Sequence, residues 1–415
     1  MPDGMNSVKY DIGIVGAGIA GSLAAFRLSK KHPALKIALF DIGRPPGKRR
    51  RQLEGFMGCL PVGDGKLYPN DIEELISPLF KEKFLDGRKV RPIGDEILSW
   101  IESIQKTKLI KTSKISSPLY KKISKDFAIQ ELNYYSWKPS QIHEFMKEIS
   151  DELENSNNIS KLFDTIITKI EKNKNEYFVY SNNVQFLCKK IIIATGRSGW
   201  RYLGELFQNL QIEYIDNMST YGIRAEMPLK FLKDFNGSHC RLINSSEEVG
   251  IFDWNGTVIP EDHSDNLVIS AFRSNEDRWK SEKVSFPILI KNYAGAHRGA
   301  SEAERISKLV FLLSNDRVNK EKIKTLIKGD SQFSMLPEFD KIKKIIEKIN
   351  EFIPDLILHG SYYVPMLIPH PPITKLNSDL ETEQEGCYLA GEAADIFGII
   401  SSMVTGFIVA DAVTK

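Results

Sequence analysis

Three glycines spaced as Gly-x-Gly-x-x-Gly follow the first apolar run of the chain: Gly16, Gly18 and Gly21. The run that ends at Val15 has the length of a strand, and SLAAFRLSKK after the glycines has apolar residues at helical spacing. In such a unit the first glycine permits a tight turn, the second lets the backbone approach a pyrophosphate, and the third lets the helix pack closely on the strand. The positive helix end and exposed amides, such as those of Ala17 and Ala20, would face the phosphates.

The second apolar run, KIALF, is closed by an acid, Asp41. A carboxylate at this place in a strand-turn-helix-strand unit accepts hydrogen bonds from an adenosine ribose. The whole unit therefore predicts a dinucleotide site, but it does not distinguish NAD from FAD.

Two later stretches each predict a buried strand that ends in a glycine-containing turn. In NEYFVYSNNVQFLCKKIIIATGRSG, two short strands joined by a polar Ser-Asn-Asn turn precede a buried strand that ends at Ala194, Thr195 and Gly196. In the C-terminal GCYLAGEAADIFGIISSMVTGFIVADAV, a strand ends at Gly391-Glu392, and a helix begins at about Ile400.

These stretches resemble FAD domains of the glutathione-reductase type. The resemblance implies that the Ala194–Gly196 turn lies close to the dinucleotide and that the Glu392 carboxylate binds the ribityl chain. It also implies that the C-terminal helix points its first amides, near Gly398, Ile399 and Ile400, at the flavin pyrimidine edge. A helix N-terminus stabilises the negative charge of reduced flavin there by up to ~1–2 kcal/mol.

In the loop that follows Asp41, the stretch GCLPVGDGKL, from Gly58 to Leu67, is similar to a stretch of the bacterial uncharacterised FAD-dependent dehydrogenases. The stretch after Gly196 and the C-terminal stretch resemble the same group. The resemblance implies that this loop meets the FAD phosphates, with Arg49 as a phosphate contact, and brings small residues such as Gly58 beside the flavin ring. The chain departs from the group at FDWNGT, which begins at Phe252, because no cysteine is present there.

Three residues are candidates for catalysis. Lys66 and Cys59 belong to the loop expected beside the flavin, and His370 lies between two prolines close to the return to the first domain. Each also has a structural interpretation: a surface lysine, a chance cysteine whose reactivity would need a lowered pKa, and a hydrogen-bonded histidine. The run from Lys48 to Arg51 favours phosphate contact or a solvated face over nucleic-acid binding.

The bulk composition is that of an ordinary soluble protein, with 415 residues and a 42% hydrophobic fraction. Lys and Arg number 56 against 54 Asp and Glu, so no strong field favours nucleic acid. The four cysteines have no metal-ligand spacing, and no apolar run approaches the ~18 residues that span a bilayer. The sequence predicts a cytoplasmic protein with no metal and no integral membrane segment.

The predicted fold is α/β: a Rossmann-like FAD-binding domain, with a parallel sheet and a small β-meander, and an inserted α+β lobe that covers the flavin and supplies the substrate pocket. Residues 1–85 and 86–200 form two parts of the FAD-binding domain, residues 201–372 form the lobe, and residues 373–415 return to the first domain. Within the lobe, STYGIRAEMPLKF and DNLVISAFRSN predict strands, and EAERISKLVFLLS, NKEKIKTLIKG and EFDKIKKIIEKINEFIP predict helices.

The predicted function is that of an FAD-dependent oxidoreductase, which transfers a hydride between a small organic substrate and flavin N5. A flavin-dependent monooxygenase or halogenase is an alternative, and a non-catalytic FAD-fold protein is another. No second Gly-x-Gly-x-x-Gly and no Cys-x-x-Cys are present. Electrons must then come from the substrate, from NAD(P)H bound transiently over the flavin, or from an electron-donor protein.

Overall fold

The computed structural model describes residues 8–77, 85–182, 184–244, 246–263, 267–292, 299–315 and 317–415. The chain divides into two compact units. The first contains residues 1–108, 139–216 and 371–415, and the second contains residues 109–138 and 217–370.

The strands are, in chain order, β1 Val8–Val15, β2 Ile37–Phe40, β3 Lys66–Leu67, β4 Ala128–Glu131, β5 Tyr135–Ser136, β6 Ile159–Leu162, β7 Lys169–Asn173, β8 Glu176–Ser181, β9 Val184–Ile193, β10 Tyr214–Ile215, β11 Ser219–Pro228, β12 Cys240–Ile243, β13 Glu247–Val249, β14 Asp253–Trp254, β15 Thr257–His263, β16 Leu267–Arg273, β17 Lys283–Asn292, β18 Asn319–Lys322, β19 Ser361–Pro369, β20 Ile373–Thr374 and β21 Cys387–Leu389.

The helices are α1 Ile19–Lys31, α2 Asn70–Ile76, α3 Gly87–Ser103, α4 Ser117–Ile123, α5 Pro139–Asn155, α6 Trp200–Asn209, α7 Gly299–Leu313, α8 Ile323–Lys328, α9 Pro337–Phe352, α10 Leu356–His359 and α11 Ile399–Ala412. No helix of the described residues is long and apolar enough to cross a membrane. Among the same residues, no group of three or more His, Cys, Asp or Glu side chains could hold a metal ion.

The first unit is built on a sheet with the strand order β6-β2-β1-β9-β8-β7, and β21 pairs with β9. Strands β6, β2, β1, β9 and β21 are parallel, whereas β7 and β8 form an antiparallel extension. The central strands are buried on both faces, which explains their continuous apolar runs. The prediction of an α/β fold with a parallel sheet and a small β-meander is confirmed.

Strand β9 differs from its prediction in one respect. The expected short strand VQFL and the expected buried strand KKIII form a single strand of 10 residues. Its beginning pairs with β8, its end pairs with β21, and β1 runs along its other edge. One long strand therefore connects the meander to the parallel sheet.

The second unit contains a sheet with the order β18-β19-β11-β17-β13-β12-β4, and β14 also pairs with β17. One face of this sheet packs on helices α7 and α9, and it contributes to an apolar core that includes Ile223, Phe286, Ile288, Ile346 and Ile349. The β15–β16 hairpin belongs to the same unit.

Two parts of the second unit differ from the sequence analysis. Residues 109–138, which we expected in the first domain, belong here, and β4 pairs with β12. The segment NKEKIKTLIKG, for which the sequence predicts a helix, begins as strand β18 and only then becomes helix α8. Sheet pairing of β18 with β19 overrides the helical propensity of its lysines and glutamate.

Candidate functional site

Four parallel strands of the first unit end at the same edge of the sheet. Val15 of β1 is paired with Phe40 of β2 and with Ile193 of β9, and Ile193 is also paired with Leu389 of β21. The carboxyl ends of parallel strands are the usual place for ligands in open α/β sheets. The segments that follow these ends are the sequence-predicted ones: the glycine-rich turn, Asp41, the Ala194–Gly196 turn and Gly391-Glu392.

The three glycines of the first turn have different surroundings. Gly16 has a φ of +106°, and a Cβ there would lie 2.3 Å from the carbonyl oxygen of Ala194. A Cβ on Gly21 would lie 1.8 Å from the carbonyl oxygen of Gly16. A Cβ on Gly18 would have no atom of the described residues within 4 Å. Packing within the protein thus requires glycine at positions 16 and 21, whereas nothing among the described residues requires it at position 18.

Helix α1 begins at Ile19, so Gly21 lies in its first turn, and no side chain of the described residues caps its N-terminus. Its Ala20 contacts the C-terminal part of the chain, because a Cβ on Gly406 of α11 would lie only 2.4 Å from the Ala20 carbonyl oxygen. The sequence analysis did not identify Gly406. Its position inside an apolar helical stretch could have indicated it, because a glycine in such a stretch often allows close packing against another element.

Asp41 follows β2, and its side chain is buried. Its carboxylate accepts hydrogen bonds from three backbone amides, those of Ala17 (2.6 Å), Gly43 (2.7 Å) and Gly55 (2.8 Å). Burial raises the pKa of Asp41, although these amides and the charge of Arg49 act in the opposite direction. Since a carboxylate has about four acceptor positions, three of them serve the protein backbone. The sequence signal for a ribose acceptor did not reveal that Asp41 joins the glycine-rich turn to the following loop. The Ala17 amide, which we expected to face the phosphates, donates to Asp41 instead.

Arg49 holds the shape of that loop. Its guanidinium donates hydrogen bonds to three carbonyl oxygens, those of Gln52 (2.6 Å), Gly58 (2.6 Å) and Phe56 (3.0 Å). Burial lowers the pKa of Arg49, and the neighbouring Cys59 and Asp41 oppose that shift. Two of its five N–H donors remain for other partners. The predicted phosphate contact is therefore limited to those two donors.

The loop returns to the glycine-rich turn. The Met57 amide donates to the carbonyl oxygen of Ala17 over 2.7 Å, and a Cβ on Gly58 would lie 3.4 Å from the Gly18 Cα. The structure thus brings Gly18 and Gly58 close together.

The local contacts of the three candidates for catalysis are as follows. The Lys66 side chain is 5% exposed, and its ammonium lies 2.5 Å from an Asp64 carboxylate oxygen. Cys59 is exposed and forms no disulfide. His370 belongs to the second unit, and its Nε2 lies 3.0 Å from the Thr220 hydroxyl. Lys66 therefore has a carboxylate partner that the sequence analysis did not assign to it.

The turn after β9 contains a buried polar atom that has no hydrogen-bond partner among the described residues. The Ala194 amide donates to the carbonyl oxygen of Val15 over 2.8 Å, which fixes the turn beside the end of β1. The hydroxyl of Thr195 is buried and has no hydrogen-bond partner among the described residues. Gly196 has a φ of +61°, and a Cβ there would have no described atom within 4 Å. The open space at Gly196 lets a ligand approach the backbone of this turn, whereas the Thr195 hydroxyl points toward Gly199, where a Cβ would lie 2.5 Å from it.

Glu392, the predicted ribityl ligand, forms an ion pair with Arg197. One guanidinium nitrogen lies 2.9 Å from one carboxylate oxygen, and Nε lies 3.3 Å from the other. Both side chains are partly buried. The sequence analysis missed Arg197, although it directly follows Gly196 in the same predicted turn. The pair connects the turn after β9 to the turn after β21, and it reduces the net negative charge that Glu392 brings to this edge.

The N-terminus of α11 also has an acidic neighbour that the sequence did not reveal. Gly398 has a φ of +106°, and a Cβ there would lie 2.3 Å from a carboxylate oxygen of Asp71 on α2. Ile399 is the first residue of the helix, and Ile400 is buried. A carboxylate at a helix N-terminus interacts favourably with the helix dipole. The resemblance implies that this helix end stabilises the negative charge of the flavin, but the Asp71 carboxylate already lies at the same helix end.

No protein-family model and no curated protein matches this chain. Solved structures that are similar include glycine oxidase from Geobacillus kaustophilus, at 13% identity and a TM-score of 0.43, with coverage of 98% of this chain and 95% of that one. CtdE in complex with FAD is similar at 12% identity and a TM-score of 0.38, with coverage of 98% and 84%.

A third is a geranylgeranyl bacteriochlorophyll reductase-like protein from Thermoplasma acidophilum, at 14% identity and a TM-score of 0.42, with coverage of 99% and 78%. At these identities and TM-scores the likeness assigns neither a family nor a reaction to this chain.

Proposed function

We propose that the first unit binds FAD and that the protein is an FAD-dependent oxidoreductase. The observation that carries the proposal is the common edge where β1, β2, β9 and β21 end in register. The first strands and the last strand of the sheet meet at this edge. A nicotinamide-binding unit can be made from the first strands alone and does not need the last one. We also propose membership of the glutathione-reductase-like superfamily, in the group of uncharacterised dehydrogenases, on the motifs described above.

The residues at this edge fit a dinucleotide. Open space in front of Gly18 and Gly196 allows the backbone to approach phosphate or ribityl oxygens. The first amides of α1, uncapped by any side chain of the described residues, suit the pyrophosphate. Gly16, Gly18, Gly58, Gly196 and Gly391 would thus form the cradle.

Bound FAD would supply the hydride acceptor or donor. The protein would orient the cofactor through the turns and would hold charge in fixed positions. Asp41 and Arg49 would keep the loop shaped before the cofactor arrives, and the Glu392–Arg197 pair would present one carboxylate edge to the ribityl chain. Lys66 and Asp64 would place an ion pair without net charge at the end of the same loop.

The substrate would be a small organic molecule that gives or receives the hydride, with NAD(P)H or an electron-donor protein as the other partner in the cycle. The absorbance spectrum of the purified protein, followed by identification of the released cofactor by mass, tests the central claim. Bound FAD is the expected result. Failure to retain FAD after purification and after incubation with excess FAD, or retention of a nicotinamide dinucleotide alone, would overturn the proposal.

Anaerobic mixing with NADH or NADPH, followed by admission of air, then tests the reaction class. Substrate-dependent oxidation or reduction without oxygen incorporation is expected. Incorporation of an oxygen atom into the product would instead identify a monooxygenase, and a flavin that no donor reduces would identify a non-catalytic binding protein.

A further inference from the structure

The side chain of Asp71 lies at the N-terminus of helix α11. A Cβ on Gly398, the residue before this helix, would lie 2.3 Å and 3.1 Å from the two carboxylate oxygens of Asp71. The main chain is joined as well, because the Ser401 hydroxyl donates to the Asp71 carbonyl oxygen over 3.2 Å. Asp71 belongs to the first turn of α2, and the next residue, Ile72, is buried against Gly94 of α3. Packing within the first unit therefore holds the carboxylate at this helix end.

The beginning of α11 lies at the edge of the sheet where we place the cofactor. The Thr405 hydroxyl accepts a hydrogen bond from the Gly391 amide, which follows β21, over 3.0 Å. A Cβ on Gly391 would lie 3.3 Å from the Ser402 hydroxyl oxygen and 3.2 Å from the Ala20 Cβ in the first turn of α1. The first turns of α1 and α11 therefore approach each other at the turn after β21.

The strand order decides which part of a dinucleotide would face α11. Along this edge β2 is followed by β1, then by β9, and β21 pairs with the far side of β9. In a dinucleotide-binding fold the adenosine ribose lies beside the end of the second strand, and the pyrophosphate lies at the glycine-rich turn after the first strand. An extended molecule that passes from β2 across β1 continues toward β9 and β21. The redox-active end of the cofactor would therefore lie on the side where α11 begins.

Asp71 changes the charge that this helix end offers to a cofactor. A helix N-terminus carries about half a positive charge. The carboxylate of Asp71, in contact with the residue that precedes the helix, offsets that charge. Oxidised flavin is neutral, whereas reduced flavin is negatively charged at neutral pH. The presence of Asp71 therefore disfavours the reduced form relative to the oxidised form.

We propose that Asp71 lowers the midpoint potential of the bound flavin by neutralising the positive end of α11. The inference rests on the proposed function, that is, on the binding of FAD by the first unit. Asp71 acts through the helix end, so it is a positioning residue and not a group that touches the substrate. A lower potential makes the reduced flavin a stronger hydride donor.

The midpoint potential of bound FAD in the full-length protein, measured anaerobically by equilibration with a reference dye, tests the proposal. Asp71→Asn removes one negative charge from the helix end and keeps the size of the side chain. We expect the ratio of the affinities for reduced and oxidised FAD to rise about tenfold, which is the size of a helix-terminus interaction in a partly buried setting. For a two-electron couple, a tenfold change raises the potential by about 30 mV.

Glu73→Gln is the matched control for charge. Glu73 lies two residues further along α2, is exposed, and pairs with Arg91 of α3 at 2.9 Å. Its loss changes the net charge of the protein equally and should leave the wild-type potential. Ser401→Ala is the control for packing, because it removes the hydrogen bond to the Asp71 carbonyl oxygen without removing a charge. This variant should also keep the wild-type potential.

A second measurement needs no cofactor. In the FAD-free protein, Asp71→Asn should raise the equilibrium constant of unfolding about two- to fivefold, because the helix end loses its carboxylate. An unchanged unfolding constant would show that Asp71 does not interact with the helix end, and it would overturn the proposal. If the Asn variant does not fold, Asp71→Ser, with an uncharged residue that also suits a helix N-terminus, gives the same measurements.

Two outcomes of the potential measurement would also overturn the proposal. One is an unchanged potential in the uncharged Asp71 variants, which would leave Asp71 with a structural role alone. The other is an equal rise in the Glu73 or the Ser401 variant, which would mean that net charge or packing causes the change. A wild-type protein that binds no FAD would instead refute the proposed function itself, and this inference with it.

Discussion

A substitution at Gly18 should weaken cofactor binding without affecting folding. Its φ of −64° and ψ of −169° are allowed for any residue, and an added Cβ would have no described atom within 4 Å. The change Gly18→Val should therefore leave the fold intact. By contrast, a Cβ at Gly21 would lie 1.8 Å from a backbone oxygen, so Gly21→Ala should disturb the protein itself.

The expected changes in stability and in FAD affinity differ between the two positions. Replacing glycine at a compatible position raises the free energy of unfolding by about 0.4–1 kcal/mol, because it restricts the unfolded chain. A side chain at position 18 would move the phosphates away from the backbone amides. The loss of one charged hydrogen bond, worth roughly 1.5–3 kcal/mol, weakens FAD binding by about 10- to 100-fold. For Gly21→Ala, overpacking should lower the free energy of unfolding by about 1–3 kcal/mol.

The assay combines two measurements on each variant after removal and re-addition of FAD. Denaturant unfolding gives the stability of the cofactor-free protein, and quenching of flavin fluorescence gives the affinity. We expect Gly18→Val to lose affinity without losing stability, and Gly21→Ala to lose stability. Wild-type FAD affinity in Gly18→Val would refute the reasoning, since the pyrophosphate would then lie elsewhere.

Three further predictions concern other parts of the chain. Arg197→Met should lower the FAD affinity and the free energy of unfolding, the latter by about 1 kcal/mol, because the Glu392 carboxylate loses its partner. Arg197→Lys should restore part of both. Unchanged FAD affinity in the Met variant would contradict this role. Glu226→Gln removes the carboxylate that pairs with Lys283 and Lys320, and it should lower the melting temperature at pH 7. The difference from wild type should shrink as the pH falls below about 4.5, the usual pKa of glutamate. The reason is that a carboxyl group whose pKa is lowered by folding stops stabilising the protein once it is protonated. A thiol reagent at pH 8 should label Cys59 rapidly in the folded protein, because Cys59 is exposed. Burial raises the pKa of the three other cysteines to about 12, and it should protect them until denaturant is added. Rapid labelling of more than one thiol without denaturant would contradict the described packing.

Much of the first unit could be predicted because its signals are local. Tight turns require glycine at Gly16, buried parallel strands appear as continuous apolar runs, and α11 begins within one residue of its predicted start. The helix predicted over NKEKIKTLIKG was wrong in its first half, because the pairing of β18 with β19 is a contact between segments far apart in the chain.

The sequence by itself determined the fold class of the first unit and the positions of four glycine-containing or acidic turns. Only the tertiary structure decided how the side chains are used. Asp41 joins the glycine-rich turn to the following loop, and Arg49 binds the backbone of that loop. Glu392 pairs with Arg197, and Asp71 lies at the start of α11. The physical reason is that backbone geometry depends on neighbouring residues. The partner of a charged side chain depends on which distant segments the sheet brings within about 3 Å.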